Sequence, residues 1–437
     1  MEEFLREDKV KIVPEYWDES LECVSPEKIR DIRTLKMQKH LRYAYQNSLF
    51  YKKAFDKIDL RPDVIRTLAD YRQDVPFLTH KQMIENQNAK PPFGDFLSVD
   101  LKDIRRIYCS PGPLMMPFSK SDMDDYINTT ANGLYICGAR RGDIVDITYA
   151  YQWDLAGTML DDGFRRLGCA VIPGGTGMTR THIHIMKHLG VTVIFAFPTF
   201  AMKLAKTARK MGVDPRNDLK VRLIIIRGEE VYGQNDKEIL SGEFGAEVRE
   251  MYGGAETGFV AAECPIGGGI HYFTDSIVEI IDPLTGRTVA DGEGGEIVVT
   301  DISRKAMPII RYRTGDLTEG FSFEPCHCGR TSPRMKRIVG RTGNIIRVKG
   351  VYLIPEKVQE VVGIHRKLKK IQIIVDRPRL EDRLLIKVES PDSEKDQELR
   401  KNLIEGLREV TRLRAEIDLV PYGSIAQGAP ILIDKRH

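Results

Sequence analysis

In Tyr252-Gly-Gly-Ala-Glu-Thr257 an apolar run ends in a glycine turn, so backbone can come close to a flat or anionic ligand. The Glu256 carboxylate that follows is a hard oxygen donor suited to a magnesium ion bridging phosphates. About 60 residues on, Arg311-Tyr-Arg-Thr-Gly-Asp316 places an acid after a second glycine turn. Asp316 there can accept both hydroxyls of a ribose. The competing readings are a plain strand-end turn for the first segment and, for the second, a buried structural salt bridge through Arg311 or Arg313. A third group is metal-like. Cys264 and His271 lie on one side of a β-rich stretch and Cys326-His-Cys328 on the other, and three thiolates with one imidazole make a closed tetrahedral zinc site. His327 competes with His271 for the fourth position, and buried thiols beside a surface histidine are the bland alternative. His182, His184 and His188 form a looser set that reads as a solvated helix, with only the last two on one face.

The elements that must hold these residues follow from periodicity. Residues 25–90 read as polar helices, with Leu35, Met37, Leu41, Tyr43 and Tyr45 on a loose apolar face. From about 143, β-branched runs at Ile144–Tyr149, Cys169–Pro173, Val191–Phe197, Val221–Ile226 and Ala246–Tyr252 alternate with helical segments at His182–Leu189 and Phe200–Met211. That alternation predicts an α/β fold with a mainly parallel sheet, and ligands at the carboxyl ends of its strands. Residues 276–300 carry hairpin signals in Asp282-Pro-Leu-Thr-Gly286 and Asp291-Gly-Glu-Gly-Gly295, which predict a β-rich subdomain. After Gly340-Arg-Thr-Gly-Asn344 the pattern starts again as a small C-terminal α+β domain. Its strands are expected at Ile371–Val375, Leu384–Val388, Ile417–Val420 and Ile431–Ile433, with a helix from Lys395 to Leu413. The expected division is 1–340 and 341–437, with a hinge near Asn344.

Size and charge exclude several classes. A chain of 437 residues exceeds one ordinary core. Sixty-six basic against 63 acidic residues, interleaved, leave a net charge of +3 and no electrostatic footprint for nucleic acid. The acidic start, Met1-Glu-Glu-Phe-Leu-Arg-Glu-Asp, is unlike a signal peptide, and no apolar stretch approaches the roughly 20 residues of a membrane span. Seven scattered cysteines fit a reducing compartment. The expectation is a cytoplasmic protein without a membrane or nucleic-acid partner.

Taken in order, and with Gly340-Arg-Thr-Gly-Asn344-Ile-Ile-Arg-Val-Lys-Gly350 following, the two first segments resemble the phenylacetate–CoA ligase branch of the adenylate-forming superfamily. The likeness spans nearly the whole chain, including Tyr16-Trp17, the segment from His40 to Tyr51, and Cys326-His-Cys-Gly-Arg-Thr-Ser-Pro-Arg334. It implies a large AMP-binding domain, a small mobile domain and a two-step reaction: a carboxylate attacks the α-phosphate of ATP, and CoA thiol then displaces AMP. By that resemblance Gly228, Glu229, Glu230 and Tyr252, Gly253, Gly254 frame the adenine, Glu256 binds magnesium, and Asp316 and Arg341 hold the ribose. Lys349 and Gly350 move toward the pantetheine of CoA. Tyr149, Tyr151 and Trp153, with Phe197 and Ala255, would form an aromatic wall for a flat or apolar acid, core packing being the alternative. The implied partners are a small-molecule carboxylic acid or acyl-CoA and, at most, a second copy of the chain in a homodimer.

The chain departs from that pattern in places that serve one half-reaction. The phosphate loop is Tyr108-Cys-Ser-Pro-Gly-Pro-Leu-Met-Met-Pro117, in which Pro111 and Pro113 remove N–H donors and only Ser110 and Gly112 keep phosphate-binding chemistry. Gly428 or Ala429 stands at the place of the adenylation lysine, with Lys435 the nearest substitute. Ala255 replaces a hydroxyl residue and Asn344 a hinge carboxylate. Three functions follow as alternatives: an AMP-forming carboxylate–CoA ligase for an aromatic or similar small acid; a catalytically altered relative that binds an acyl, CoA or adenine-containing ligand without adenylation; and a transferase that adenylates a cofactor hydroxyl.

Overall fold

The computed structural model describes residues 16–110, 113–227, 236–342, 346–348, 351–365, 367–377, 382–391, 397–411 and 413–436. Its centre is a nine-stranded mixed sheet. Five strands are parallel, in the spatial order Glu247–Gly254, Leu223–Ile226, Val193–Ala196, Ile144–Ile147 and Ala170–Ile172. Strands such as Leu223-Ile-Ile-Ile226 are fully buried, as expected when helices cover both faces. Those helices include Leu155–Leu167, Thr179–Leu189 and Pro198–Lys210, each closed by glycine or a short turn before the next strand. Beyond Glu247–Gly254 the sheet continues antiparallel through Gly258–Glu263, Ile270–Tyr272, Arg334–Met335 and Phe321–Ser322.

A four-stranded antiparallel sheet, Ser276–Ile281, Gly295–Asp301, Ile309–Thr318 and Ile338–Arg341, is the hairpin-rich part read from the turn signals. It is held by arginines. The Arg311 guanidinium donates to both oxygens of Glu279 at 2.9 and 3.1 Å, and Arg313 pairs with Glu296. The salt-bridge reading therefore applies to the two arginines of that motif, while Asp316 at its end stands apart from them. Among the described residues no helix is long and apolar enough to cross a membrane.

The N-terminal helices Pro26–Asn47, Leu49–Asp56, Leu68–Asp74 and His80–Ala89 pack against this second sheet. In the first of them Ile29, Arg33, Met37, His40, Leu41 and Ala44 face inward, a 3.6-residue stripe. Leu35 lies off that stripe and is 54 % exposed, which corrects its place on the apolar face. Residues 104–119 form a hairpin, Ile104–Ser110 with Leu114–Ser119, that the strand pattern did not reveal because its apolar residues run consecutively.

Residues 346–419 build a separate apolar core from Val348, Leu353, Val358, Ile373, Ile386, Leu403 and Leu407 among others. Its sheet runs Ala415–Val420, Arg383–Glu389, Ile371–Asp376, Leu432–Asp434, and the helix read as Lys395–Leu413 is described over Gln397–Thr411. Two ion pairs, Arg337 with Glu360 at 2.8 Å and Lys357 with Glu319 at 3.1 Å, tie it to the end of the large part.

Candidate functional site

At the carboxyl ends of the parallel strands, where the two sheets meet, lies a cleft of about 750 Å³. Its floor is Tyr252 to Thr257, one wall is Tyr312 to Asp316, and Gly340 to Thr342 close the side toward the small C-terminal part. The two segments singled out in the sequence are thus brought face to face. The Tyr252 hydroxyl donates to Asp316 Oδ2 at 2.8 Å, and Arg341 Nε lies 3.5 Å from Asp316 Oδ1. Asp316 and Arg341 are register partners on adjacent strands, so the backbone itself fixes that pair. Burial, with the Asp316 charge beside it, pushes the Tyr252 phenol well up, which keeps it a neutral donor.

Gly253 and Gly254 both border the cleft, and the first of them also answers to the neighbouring strand. A Cβ at Gly253 would sit 2.0 Å from the Gly258 carbonyl oxygen, so the neighbouring strand requires a glycine there. The turn after it is closed by Gly254 N–H donating to Thr257 Oγ1 at 3.1 Å. That leaves Glu256 pointing into the cleft.

Glu256 has a partner that sequence reasoning missed. His80, first residue of the helix His80–Ala89, places Nδ1 3.4 Å from Glu256 Oε1. Burial pushes the Glu256 carboxyl up, but the His80 hydrogen bond, its own backbone N–H and the charges of His80 and Arg304 outweigh burial and hold it below the ordinary range. The hydrogen bond to Glu256 likewise raises His80, against burial and the charge of Arg341. Thr79 caps the helix in a capping box with Gln82, which fixes where His80 emerges. That box was the available signal. Arg227 was also missed: it ends the strand Leu223–Ile226 and donates from Nη2 to the Gly253 carbonyl at 2.7 Å.

The phosphate-loop stretch is a hairpin anchored by its apolar residues. Leu114 and Met116 are fully buried, and the Gln87 amide clamps Met115 by accepting from its N–H at 2.9 Å and donating to its carbonyl at 2.7 Å. Met116 is therefore a core anchor, where the family resemblance expects a cation. Ser110, 3 % exposed, borders the cleft, and its Oγ has no hydrogen-bond partner among the described residues. Gly112, Gly228, Glu229, Glu230, Lys349, Gly350 and the hinge residue Asn344 lie outside the described residues. Lys435 is exposed at the end of the strand Leu432–Asp434, its N–H bonded to Val375, and is not among the residues bordering the cleft.

The aromatic wall is corrected. The strand ends at Ile147, so Tyr149, Tyr151 and Trp153 do not alternate on one face. Tyr149 is buried, stacked on Phe197 at 4.3 Å, with its hydroxyl on the Arg227 carbonyl. Tyr151 is half-buried and bonds Asp161, and Trp153 is 82 % exposed. Only Phe197 and Ala255 of the five border the cleft.

Away from the cleft, the ligand atoms of Cys264, His271, Cys326 and Cys328 all lie within 4.8 Å of one another. Cys264 Sγ is 3.7 Å from Cys326 Sγ, and Cys328 Sγ is 3.4 Å from His271 Nε2. Those separations match the edges of a tetrahedron with metal–sulfur bonds of about 2.3 Å. His271 Nδ1 faces the Ser332 carbonyl at 2.9 Å, which leaves Nε2 as the ligand atom. His271 is buried and His327 exposed outside the cluster, so the competition between them goes to His271. The solvated reading holds for His184 and His188 and fails for His182, which is buried with Nδ1 2.7 Å from Asp146 Oδ2.

The His80–Glu256 pair sets a pH window. His80 is raised, so its share of stability is complete below the ordinary 6.5 and is lost as pH rises through its elevated value. Glu256 is lowered, so its share is present above the ordinary 4.5 and is lost as pH falls through its depressed value. In an NMR titration the His80 imidazole has its midpoint above 6.5 and moves back toward 6.5 in Glu256→Gln; an unmoved midpoint contradicts the pairing.

Comparison with known proteins agrees with this geometry. Residues 163–303 match the AMP-binding enzyme family and residues 350–436 the AMP-binding enzyme C-terminal domain. The phenylacetate-coenzyme A ligase of Aromatoleum evansii is 31 % identical over 385 residues, 85 % of this chain and 84 % of the relative. That of Escherichia coli strain K12 is 29 % identical over 388 residues, 85 % of each chain. An open-conformation crystal structure of 2-hydroxyisobutyryl-CoA ligase, with 2-HIB-AMP and CoA, superimposes with a TM-score of 0.88 at 24 % identity, covering 97 % of this chain and 95 % of the other. The chain belongs to the phenylacetate–CoA ligase family of AMP-binding enzymes.

Proposed function

We propose that this protein is an AMP-forming carboxylate–CoA ligase. The observation that carries the reading is the junction of Tyr252, Asp316 and Arg341 at the cleft, which presents a carboxylate for a ribose diol beside a strand end open to adenine. In this reading residues 1–340 bind ATP and the acid, and residues 341–437, hinged near Asn344, reposition between adenylation and thioester formation. The acid carboxylate attacks the α-phosphate and releases pyrophosphate, and the CoA thiol then attacks the acyl carbonyl and releases AMP. Glu256 would hold magnesium, which would neutralise phosphate charge. Because His80 already pairs with Glu256, the imidazolium and the metal would compete for that carboxylate. Ser110, Thr79, His80 and Lys81 are polar groups bordering the cleft that could face the phosphates. The acid would be an aromatic or similar small one, with Phe197 and Ala255 bordering the cleft.

A second reading, a relative that binds nucleotide or acyl ligand without adenylation, is favoured by the buried hairpin anchors Leu114 and Met116 and by the place of Lys435. Pyrophosphate exchange from ATP over a panel of short and aryl acids decides between the two. Magnesium- and acid-dependent exchange is the outcome the ligase reading expects; binding of AMP or CoA with no exchange contradicts it.

Cys264, His271, Cys326 and Cys328 would hold one structural zinc ion, distant in role from the reaction. Elemental analysis is expected to find one equivalent of zinc, lost in the Cys326→Ser, Cys328→Ser variant together with a lower Tm. Metal-free wild type, or full retention in the variant, contradicts the assignment.

A further inference from the structure

A second, much smaller cavity opens beside the large cleft and shares Asp154, Arg227, Gly254 and Ala255 with it. Its inner wall is Tyr126, Thr130, Met159, Gly258 and Phe259. The volume is about 20 Å³, room for one group the size of a water, which takes roughly 10–15 Å³ on the same scale. An aryl ring does not fit there. The mouth lies at Gly254 and Ala255, on the turn that carries Glu256, so it opens where an acyl group would leave the nucleotide.

Tyr126 projects from the helix Lys120–Ile136 and is 6 % exposed, with its ring edge-on to Phe118 at 5.0 Å. A Cβ at Gly258 would lie 2.8 Å from the Tyr126 hydroxyl and 2.5 Å from its ring, and Gly258 has φ +65°. The missing side chain at 258 is therefore what lets the phenol reach the cavity wall. Among the described residues the Tyr126 hydroxyl completes no hydrogen bond, although the Arg304 guanidinium lies close enough to act on it. Buried polar groups are ordinarily satisfied, so an orphaned hydroxyl at a ligand-sized cavity signals a partner that arrives with the ligand. Burial pushes the phenol up, so it stays neutral. A second carboxylate is a poor match: its three heavy atoms exceed the space, and the Arg227 guanidinium already donates to Gly253.

We propose that this cavity receives the hydroxyl group of an acyl chain that otherwise lies in the adjoining cleft, and that Tyr126 thereby selects a short carboxylic acid bearing one hydroxyl group. The proposal rests on the ligase reading for its reaction. A site built to pair a hydroxyl discriminates strongly against the analogue that lacks it, because its own buried group is then left unpaired. The competing account is a trapped water joining Tyr126 to Arg304, whose Nε and Nη2 also lack partners.

The test uses isosteric pairs: glycolate with propionate, 2-hydroxyisobutyrate with pivalate, and 3-hydroxypropionate with butyrate, alongside 4-hydroxyphenylacetate. Wild type is expected to favour at least one hydroxy acid over its methyl isostere by about 10²-fold or more in kcat/KM for the thioester. Tyr126→Phe is expected to bring that ratio below about tenfold, with AMP affinity unchanged. The same ratio in Tyr126→Phe, or a wild-type preference for the methyl isostere or the aryl acid, overturns the proposal and leaves the water. Saturation-transfer NMR of the same pairs with AMP reads the preference without turnover. Selective binding without thioester formation would sink the ligase reading and uphold Tyr126; turnover without hydroxyl preference would do the reverse.

Discussion

The hydrogen bond from Tyr252 to Asp316, backed by Arg341, joins the end of the central strand of one sheet to the third strand of another. Everything that makes a site here depends on that junction. It brings the carboxyl ends of the parallel strands against the antiparallel sheet, sets the mouth of the cleft, and turns a carboxylate toward it. The buried pair Arg311–Glu279 and the half-buried pair Arg313–Glu296 brace the second sheet behind it, the first of them almost wholly out of solvent. Removing one member of such a buried pair leaves an uncompensated charge, typically worth about 3–5 kcal/mol. The site thus inherits its geometry from two layers that cannot shift independently.

Chemistry around the junction is unevenly supported. The side proposed for the ribose has a neutral phenol donor, a carboxylate and an arginine in register. The phosphate side is sparse. Its hairpin is organised by Leu114, Met116 and the Gln87 clamp, which favour packing over anion binding, and the polar residues bordering the cleft beside it include Ser110, Thr79, His80 and Lys81. His80 is a cation whose charge depends on pH and on Glu256, unlike a lysine, which is charged throughout. The zinc-type cluster lies on the opposite side of the β-rich part, where it would brace the loop from Cys326 to Cys328 against the strand that ends at Glu263.

Much of this was legible in the sequence because it is local. The β-branched runs mark the five parallel strands, the turn signals mark the antiparallel sheet, and the types of Cys264, His271, Cys326 and Cys328 mark the metal-like cluster. What was not legible depends on contacts between distant segments. His80 meets Glu256 across 176 positions of chain, and nothing in Leu78-Thr79-His80 announces that partner beyond a helix cap. The aromatic wall failed because period-2 reasoning was carried past Ile147, where the strand stops and Trp153 turns out at φ +63°. That Gly253 is also required by the adjacent strand is something only tertiary packing shows. His182 looked solvated because helix periodicity does not reveal Asp146 beneath it.

The central claim is that the Tyr252, Asp316 and Arg341 junction is a working adenosine site whatever the fate of the phosphate side. Calorimetric titration with AMP tests it most directly. One equivalent of AMP should bind to the wild type, and Asp316→Asn should weaken that binding by about tenfold or more, the usual worth of hydrogen bonds to a charged group. No binding to the wild type, or binding indifferent to Asp316→Asn, would contradict the account.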